Sequence, residues 1–172
     1  MKQFKEELIN TMIWLGQKPD AIFLGQGIKY PGHCMYETLI GVPENKKIEF
    51  PVAEELQLGV CIGLSLLNLS PLCLFPRVNF LFRAADQLIN HLDKIELISS
   101  RQFKPFVIIR TMNGSTDPLD PGPQHKGDYT DALRAATSSV MIIKLREPEQ
   151  IFKTYKWAYE FRKSVVIIEM PQ

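Results

Sequence analysis

Apolar and polar positions along the chain follow two periods in turn. Phe4, Leu8, Ile9, Met12, Ile13 and Leu15 recur at helical spacing, which predicts a helix over 2–16 closed by Gly16. Ala21-Ile22-Phe23-Leu24 is a short apolar run that stops at Gly25-Gln26-Gly27 and reads as a buried strand entering a glycine-rich loop. Lys47 to Phe50 predicts a short extended piece ending at Pro51. Residues 53–69 predict a helix apolar nearly all round, and therefore central and buried. A strand over 71–75 follows, then a helix over 79–97 carrying Phe80, Phe82, Ala84, Ala85, Leu88, Ile89 and Leu92, with Asn79 as its cap. Phe106-Val107-Ile108-Ile109 predicts a strand over 105–110. Residues 113–127 hold Pro118, Pro121 and Pro123 among polar turn formers and read as a long loop. A short helix over 131–136, a strand over 139–145, a helix over 148–163 with Pro148 in its first turn and a strand over 165–169 complete the pattern.

Short apolar strands separated by helices predict one α/β domain over 1–172. The expected architecture is three-layered, α/β/α, with a mainly parallel sheet covered on both faces. Ligands in such sheets bind beyond the carboxyl ends of the strands. That places the candidate site among the Gly25-Gln26-Gly27 loop, residues 51–54, residues 75–80 and the loop over 113–127.

Composition narrows the function classes. The chain has 172 residues, 45% hydrophobic and 23% charged, with a net charge of +1. Such a balance gives no electrostatic basis for binding nucleic acid or a membrane surface. No apolar run reaches the length of a membrane span, and the first seven residues alternate charges unlike a signal peptide. Three cysteines, Cys34, Cys61 and Cys73, have no metal-ligand spacing, so no metal ligands are expected. Reduced thiols in a cytoplasmic protein are the expectation.

Candidate chemistry is sparse. Glu54 and Glu55 open the apolar helix. Acidic residues there complement the helix dipole, while a carboxylate at the mouth of so apolar a helix can also exchange protons. Phe80 reads as a core aromatic, and His125 as a surface residue or a site residue of a structured loop. Gly25-Gln26-Gly27 lacks the third glycine and the direct helix of a dinucleotide fingerprint.

Three motifs give the pattern a family likeness. Phe50-Pro51-Val52-Ala53-Glu54, followed by Gly59 and Gly63, resembles the T-P-I-S-E segment of the β subunits of 2-oxoacid dehydrogenase decarboxylases. Phe80, Ala84, Asp86-Gln87-Leu88-Ile89 and Asn90 resemble their F-x-x-x-A-x-D-Q-I-x-N helix. Gly122-Pro123-Gln124-His125 resembles their G-P-Q-H-S segment. The resemblance covers nearly the whole chain in matching order. Transketolases and deoxyxylulose phosphate synthases share the same domain.

The resemblance implies the pyrimidine-binding domain of a thiamine diphosphate enzyme. Glu54 and His125 would be catalytic, with Glu54 favouring the imino tautomer of the aminopyrimidine. Glu54, Phe80 and Gln26 would bind the cofactor, Phe80 by stacking. Ala53 stands where the family has serine, Arg77-Val78 precede the stacking aromatic, and Lys126 follows His125 in place of serine. The Gly-Asp-Gly motif that holds magnesium and diphosphate has only Gly127-Asp128-Tyr129 as a partial match. The resemblance therefore implies a split enzyme. A diphosphate-binding, α-type subunit would hold Mg2+ and complete a homodimer or heterotetramer. The reaction would be 2-oxoacid decarboxylation or ketol transfer. A degenerate, non-catalytic domain serving as a structural or regulatory partner is the alternative, and a free-standing small-molecule binding module a third class.

Overall fold

The computed structural model describes residues 2–114 and 120–170. Six strands form one sheet, in the order β2-β1-β3-β4-β6-β5. They are β1 (Ala21–Gly25), β2 (Lys47–Glu49), β3 (Ser70–Leu74), β4 (Ile108–Met112), β5 (Met141–Leu145) and β6 (Val165–Glu169). Every pairing is parallel; β1 lies against β3 from Ala21–Ser70 to Gly25–Leu74, and β4 against β6 from Ile108–Val165 to Met112–Glu169. Each central strand is buried on both faces, which is why the strands read as continuous apolar runs.

The two-residue period of the strands divides the core. Phe23, Leu72, Leu74, Ile108, Val165 and Ile167 point to one face, where α1 (Lys2–Gly16) and α7 (Pro148–Glu160) cover them with Leu8, Met12, Ile151 and Tyr155. Leu24, Cys73, Ile109, Val166 and Ile168 point to the other, covered by α3 (Glu54–Leu66) and α6 (Thr130–Ala136), among others. α7 starts with Pro148 and a reciprocal capping box between Glu147 and Gln150. The three-layer α/β/α expectation is borne out.

Three local expectations are corrected. The helix over 79–97 is not continuous. It consists of α4 (Val78–Leu81), a 3-10 turn (Phe82–Ala84), a π-helical stretch (Gln87–Leu92) and α5 (Ile95–Ile98). Asp93 breaks it, because its carboxylate accepts the backbone N–H groups of Ser138, Ser139 and Val140. Asn79 does not cap α4; its side chain faces His125 instead. Within the 113–127 loop, residues 115–119 lie outside the described residues, and Pro123–His125 form a 3-10 turn. A four-residue helix, α2 (Cys34–Glu37), carried no periodic signal.

α3 is half buried rather than buried all round. Glu54, Gln57, Leu58, Cys61, Ile62 and Ser65 face the sheet. Val52 just before it (80% exposed), Leu56 (59%) and Leu67 just after it (73%) face outward.

Candidate functional site

The carboxyl end of the sheet is shaped by the turn from β2 into α3. Phe50 N–H donates to Gly25 O at 2.8 Å, and the chain then enters α3 through Ala53 at its N-cap. Alanine has no side-chain oxygen to bond the exposed amides of the first turn, so the acidic pair Glu54 and Glu55 is left to complement them. Glu54 is 3% exposed. Its Oε2 lies 3.5 Å from Nε of Arg83, whose own side chain is mostly in solvent. The pair borders an open groove of about 470 Å³, lined also by Val52, Leu56, Gly59 and Gln87.

A second cluster forms around His125. Its Nδ1 is 3.0 Å from Oδ1 of Asn79, and its ring packs against Phe80 at 5.3 Å between centroids with a 57° tilt. Gly114 N–H donates to His125 O at 2.9 Å, and a Cβ on Gly114 would fall 2.4 Å from that oxygen. Only glycine lets the two backbones approach so closely.

Gln26, beyond the end of β1, is buried, and its Nε2 has no hydrogen-bond partner among the described residues. The loop after it is held by Glu49, whose carboxylate accepts N–H groups from Gly27, Ile28 and Lys29 at 2.6–2.9 Å. Glu49 ends β2 beside β1, so this carboxylate organises backbone.

The predicted site residues are thus not one constellation. Phe80 and His125 meet each other. Glu54 meets Arg83 and shares its groove with Gln87. Neither Phe80, His125 nor Gln26 lines the Glu54 groove. Sequence reasoning missed Arg83 and Gln87, although their spacing of four residues puts them on one side of a helical turn. It also missed a fully buried ion pair, in which Nε and Nη2 of Arg110 donate to Glu169 at 2.7 and 3.0 Å. Tyr155 Oη donates to the same carboxylate at 2.8 Å, and Arg110 Nη1 to Thr38 Oγ1 at 2.8 Å. A charged residue closing the apolar run of β4 was the available signal.

An aminopyrimidine ring needs an accessible carboxylate and an aromatic face directed at one space. Here the Glu54 carboxylate is paired with a guanidinium, and the Phe80 ring is packed against an imidazole outside the groove. The residues of this chain do not fit that group as they stand. Among the described residues no cluster of His, Cys, Asp or Glu could hold a metal ion, and no helix is long and apolar enough to cross a membrane.

No protein-family model matches the chain. Over 80 residues, 46% of the chain, it is 29% identical to the mitochondrial pyruvate dehydrogenase E1 component subunit beta of Ascaris suum; the match covers 22% of that protein. Over 87 residues, 51% of the chain, it is 26% identical to the corresponding subunit of Caenorhabditis elegans, covering 24% of that protein. The matches thus span less than a quarter of these relatives. A solved structure described as a split-gene transketolase, inactive beta4 tetramer, superposes with a TM-score of 0.74 at 18% identity, over 96% of this chain and 50% of that one.

These findings correct the reading of the chain as a subunit that cleaves a C–C bond with Glu54 activating the cofactor. A solved structure that matches along almost the whole chain is described as an inactive assembly, Glu54 lies 3.5 Å from Arg83, and neither Phe80 nor His125 lines its groove. The chain has the three-layer fold of the pyrimidine-binding domain of thiamine diphosphate enzymes, and over about half its length its sequence is similar to pyruvate dehydrogenase E1 β subunits.

Proposed function

We propose that the chain is a degenerate, non-catalytic pyrimidine-type domain that acts as a structural or regulatory partner in an oligomeric assembly. The observation that carries this reading is the outer face of α3, where Val52 and Leu56 stand in solvent beside the Glu54–Arg83 pair and Leu67 stands in solvent past the other end of the helix. A helix apolar on both sides has one side for its own sheet and one for another chain. The whole chain acts as a single such domain. Its partner is a diphosphate-binding, α-type chain, and any thiamine diphosphate and Mg2+ of the assembly would be held there. Glu54, Phe80, Gln26 and His125 are the positions inherited from a cofactor-facing site, and Arg83 now neutralises Glu54.

The test is Glu54→Gln in the intact assembly containing this chain, with turnover and subunit composition both measured. Unchanged turnover is expected. Loss of turnover from an assembly of unchanged composition would overturn the reading.

A further inference from the structure

The first of the three cysteines is built into a cluster that the proposed role does not use. Cys34 is half buried at the start of α2, whereas Cys61 and Cys73 are buried. His33 Nδ1 accepts the Met35 N–H at 3.2 Å and lies 4.0 Å from Cys34 Sγ. That ring rests on Gly27, where φ is +69° and a Cβ would fall 2.6 Å from the imidazole, so the backbone of the loop fixes the ring's place. From the other side comes Arg77. Its Nη1 lies 3.8 Å from Cys34 Sγ, 3.0 Å from Met112 Sδ and 3.0 Å from Pro76 O.

Charge balance decides what this cluster is for. Arg77 has no carboxylate at ion-pair distance among the described residues, and the guanidinium of Arg77 is aimed at two sulfurs. Glu49, the acidic group that His33 senses, is engaged with three backbone N–H groups. Arg110, which also senses the field of Cys34, is matched by Glu169. Cys34 Sγ, 3.8 Å from Nη1, is the ionisable group that the Arg77 guanidinium reaches. Burial opposes its ionisation, but the neighbouring His33 and the guanidinium of Arg77 outweigh burial and hold the thiol below its ordinary range. The contact with Cys34 in turn raises the His33 imidazole.

We propose that Cys34 is a modification site, a reactive thiol held by His33 and Arg77 that forms a mixed disulfide with small carboxylate-bearing disulfides. The thiolate attacks one sulfur of the small disulfide. A bond forms between Cys34 Sγ and that sulfur, the original S–S bond breaks, and the second half leaves as a thiolate with the electron pair. One disulfide is exchanged for another, with no net oxidation. The preference for an anionic reagent follows from Arg77, whose charge also meets the incoming carboxylate. The pairing would leave Arg77 without its anion, which couples the modification to the turn between β3 and α4.

The experiment treats the full folded chain with glutathione disulfide, and separately with the cationic disulfide cystamine, and maps adducts by peptide mass spectrometry. Cys34 should be modified first, with Cys61 and Cys73 silent until the chain is unfolded in urea. The anionic reagent should lead the cationic one at Cys34, and Arg77→Met should abolish that lead, because both reagents meet the same thiolate and differ only in the charge they present to Arg77. Arg77→Lys should restore most of it. In the unsubstituted protein, iodoacetamide alkylation of Cys34 should show a pH midpoint below about 8.5, the ordinary free-thiol value. That midpoint reports the joint field of His33, Arg77, Arg110 and Glu49. Reaction of folded Cys34 no faster than in urea, or a midpoint at or above the free-thiol value, would overturn the proposal, and neither measurement depends on a variant folding.

Discussion

Arg110 and Glu169 are both fully buried, and each accounts for the other's presence in the sheet. A guanidinium in so dry a place is tolerable only with a bidentate carboxylate and a further acceptor; Glu169 and Thr38 supply these, and Tyr155 donates to the same carboxylate. Arg110→Met should cost about 3–5 kcal/mol, because it strands the Glu169 carboxylate. Arg110→Met with Glu169→Leu should recover a substantial part, and urea unfolding of the three proteins checks both. Asp93 makes a parallel case. Burial opposes its ionisation, yet Lys94 and the Val140, Ser139 and Ser138 donors hold its carboxyl well below the usual range. Lys144 and Thr130 likewise hold Asp128 down, to about 2. A carboxylate with a depressed folded-state pKa adds stability that is fully present above its unfolded value of 3.8 and is lost as pH falls through the folded value. Asp93→Asn should therefore lower stability at pH 7 and flatten the acid-side loss below about pH 4, read by urea titrations at pH 7 and pH 3. At this scale the sequence located Glu54 at a helix mouth correctly. It could not reveal Arg83, since an ion pair between two turns depends on how the turns sit.

Among the elements, α3 and the segment after β3 depart furthest from their pattern. The uniform apolarity of 53–69 was legible, but uniform apolarity cannot distinguish a helix buried by its own chain from one buried by another. The structure separates the two faces. Leu67→Glu should raise the monomer fraction in sedimentation velocity while changing the unfolding free energy by no more than about 0.5 kcal/mol, as for an ordinary surface substitution. A large loss of stability with unchanged association would contradict the role given to this face. The 79–97 periodicity was real, yet it runs over α, 3-10 and π turns because Asp93 serves the start of β5 instead of helix propagation. Periodicity reports which positions are apolar, and a π turn shifts the phase by one residue without changing that list.

For the molecule as a whole, fold class was legible because buried parallel strands have a composition of their own: Phe106 to Ile109 and Val165 to Ile168 admit little else. Strand order was not, since sequence patterns report which residues are buried and not beside which neighbour. Nor was the separation of Glu54 from Phe80 and His125, because motif spacing along the chain fixes order and leaves side-chain direction open. The order itself bears on how the chain comes together. β6, the last strand, lies between β4 and β5, and β5 has no other partner in the sheet. During synthesis from the amino terminus, β2, β1, β3 and β4 can assemble as a four-stranded half. β5 must then wait, unpaired, until residues 165–169 emerge and slot in beside it. Arg110 waits with it, its carboxylate 59 residues downstream. Nascent chains stopped before β6 should thus hold an open sheet edge and an unanswered buried cation, a state suited to capture by a chaperone.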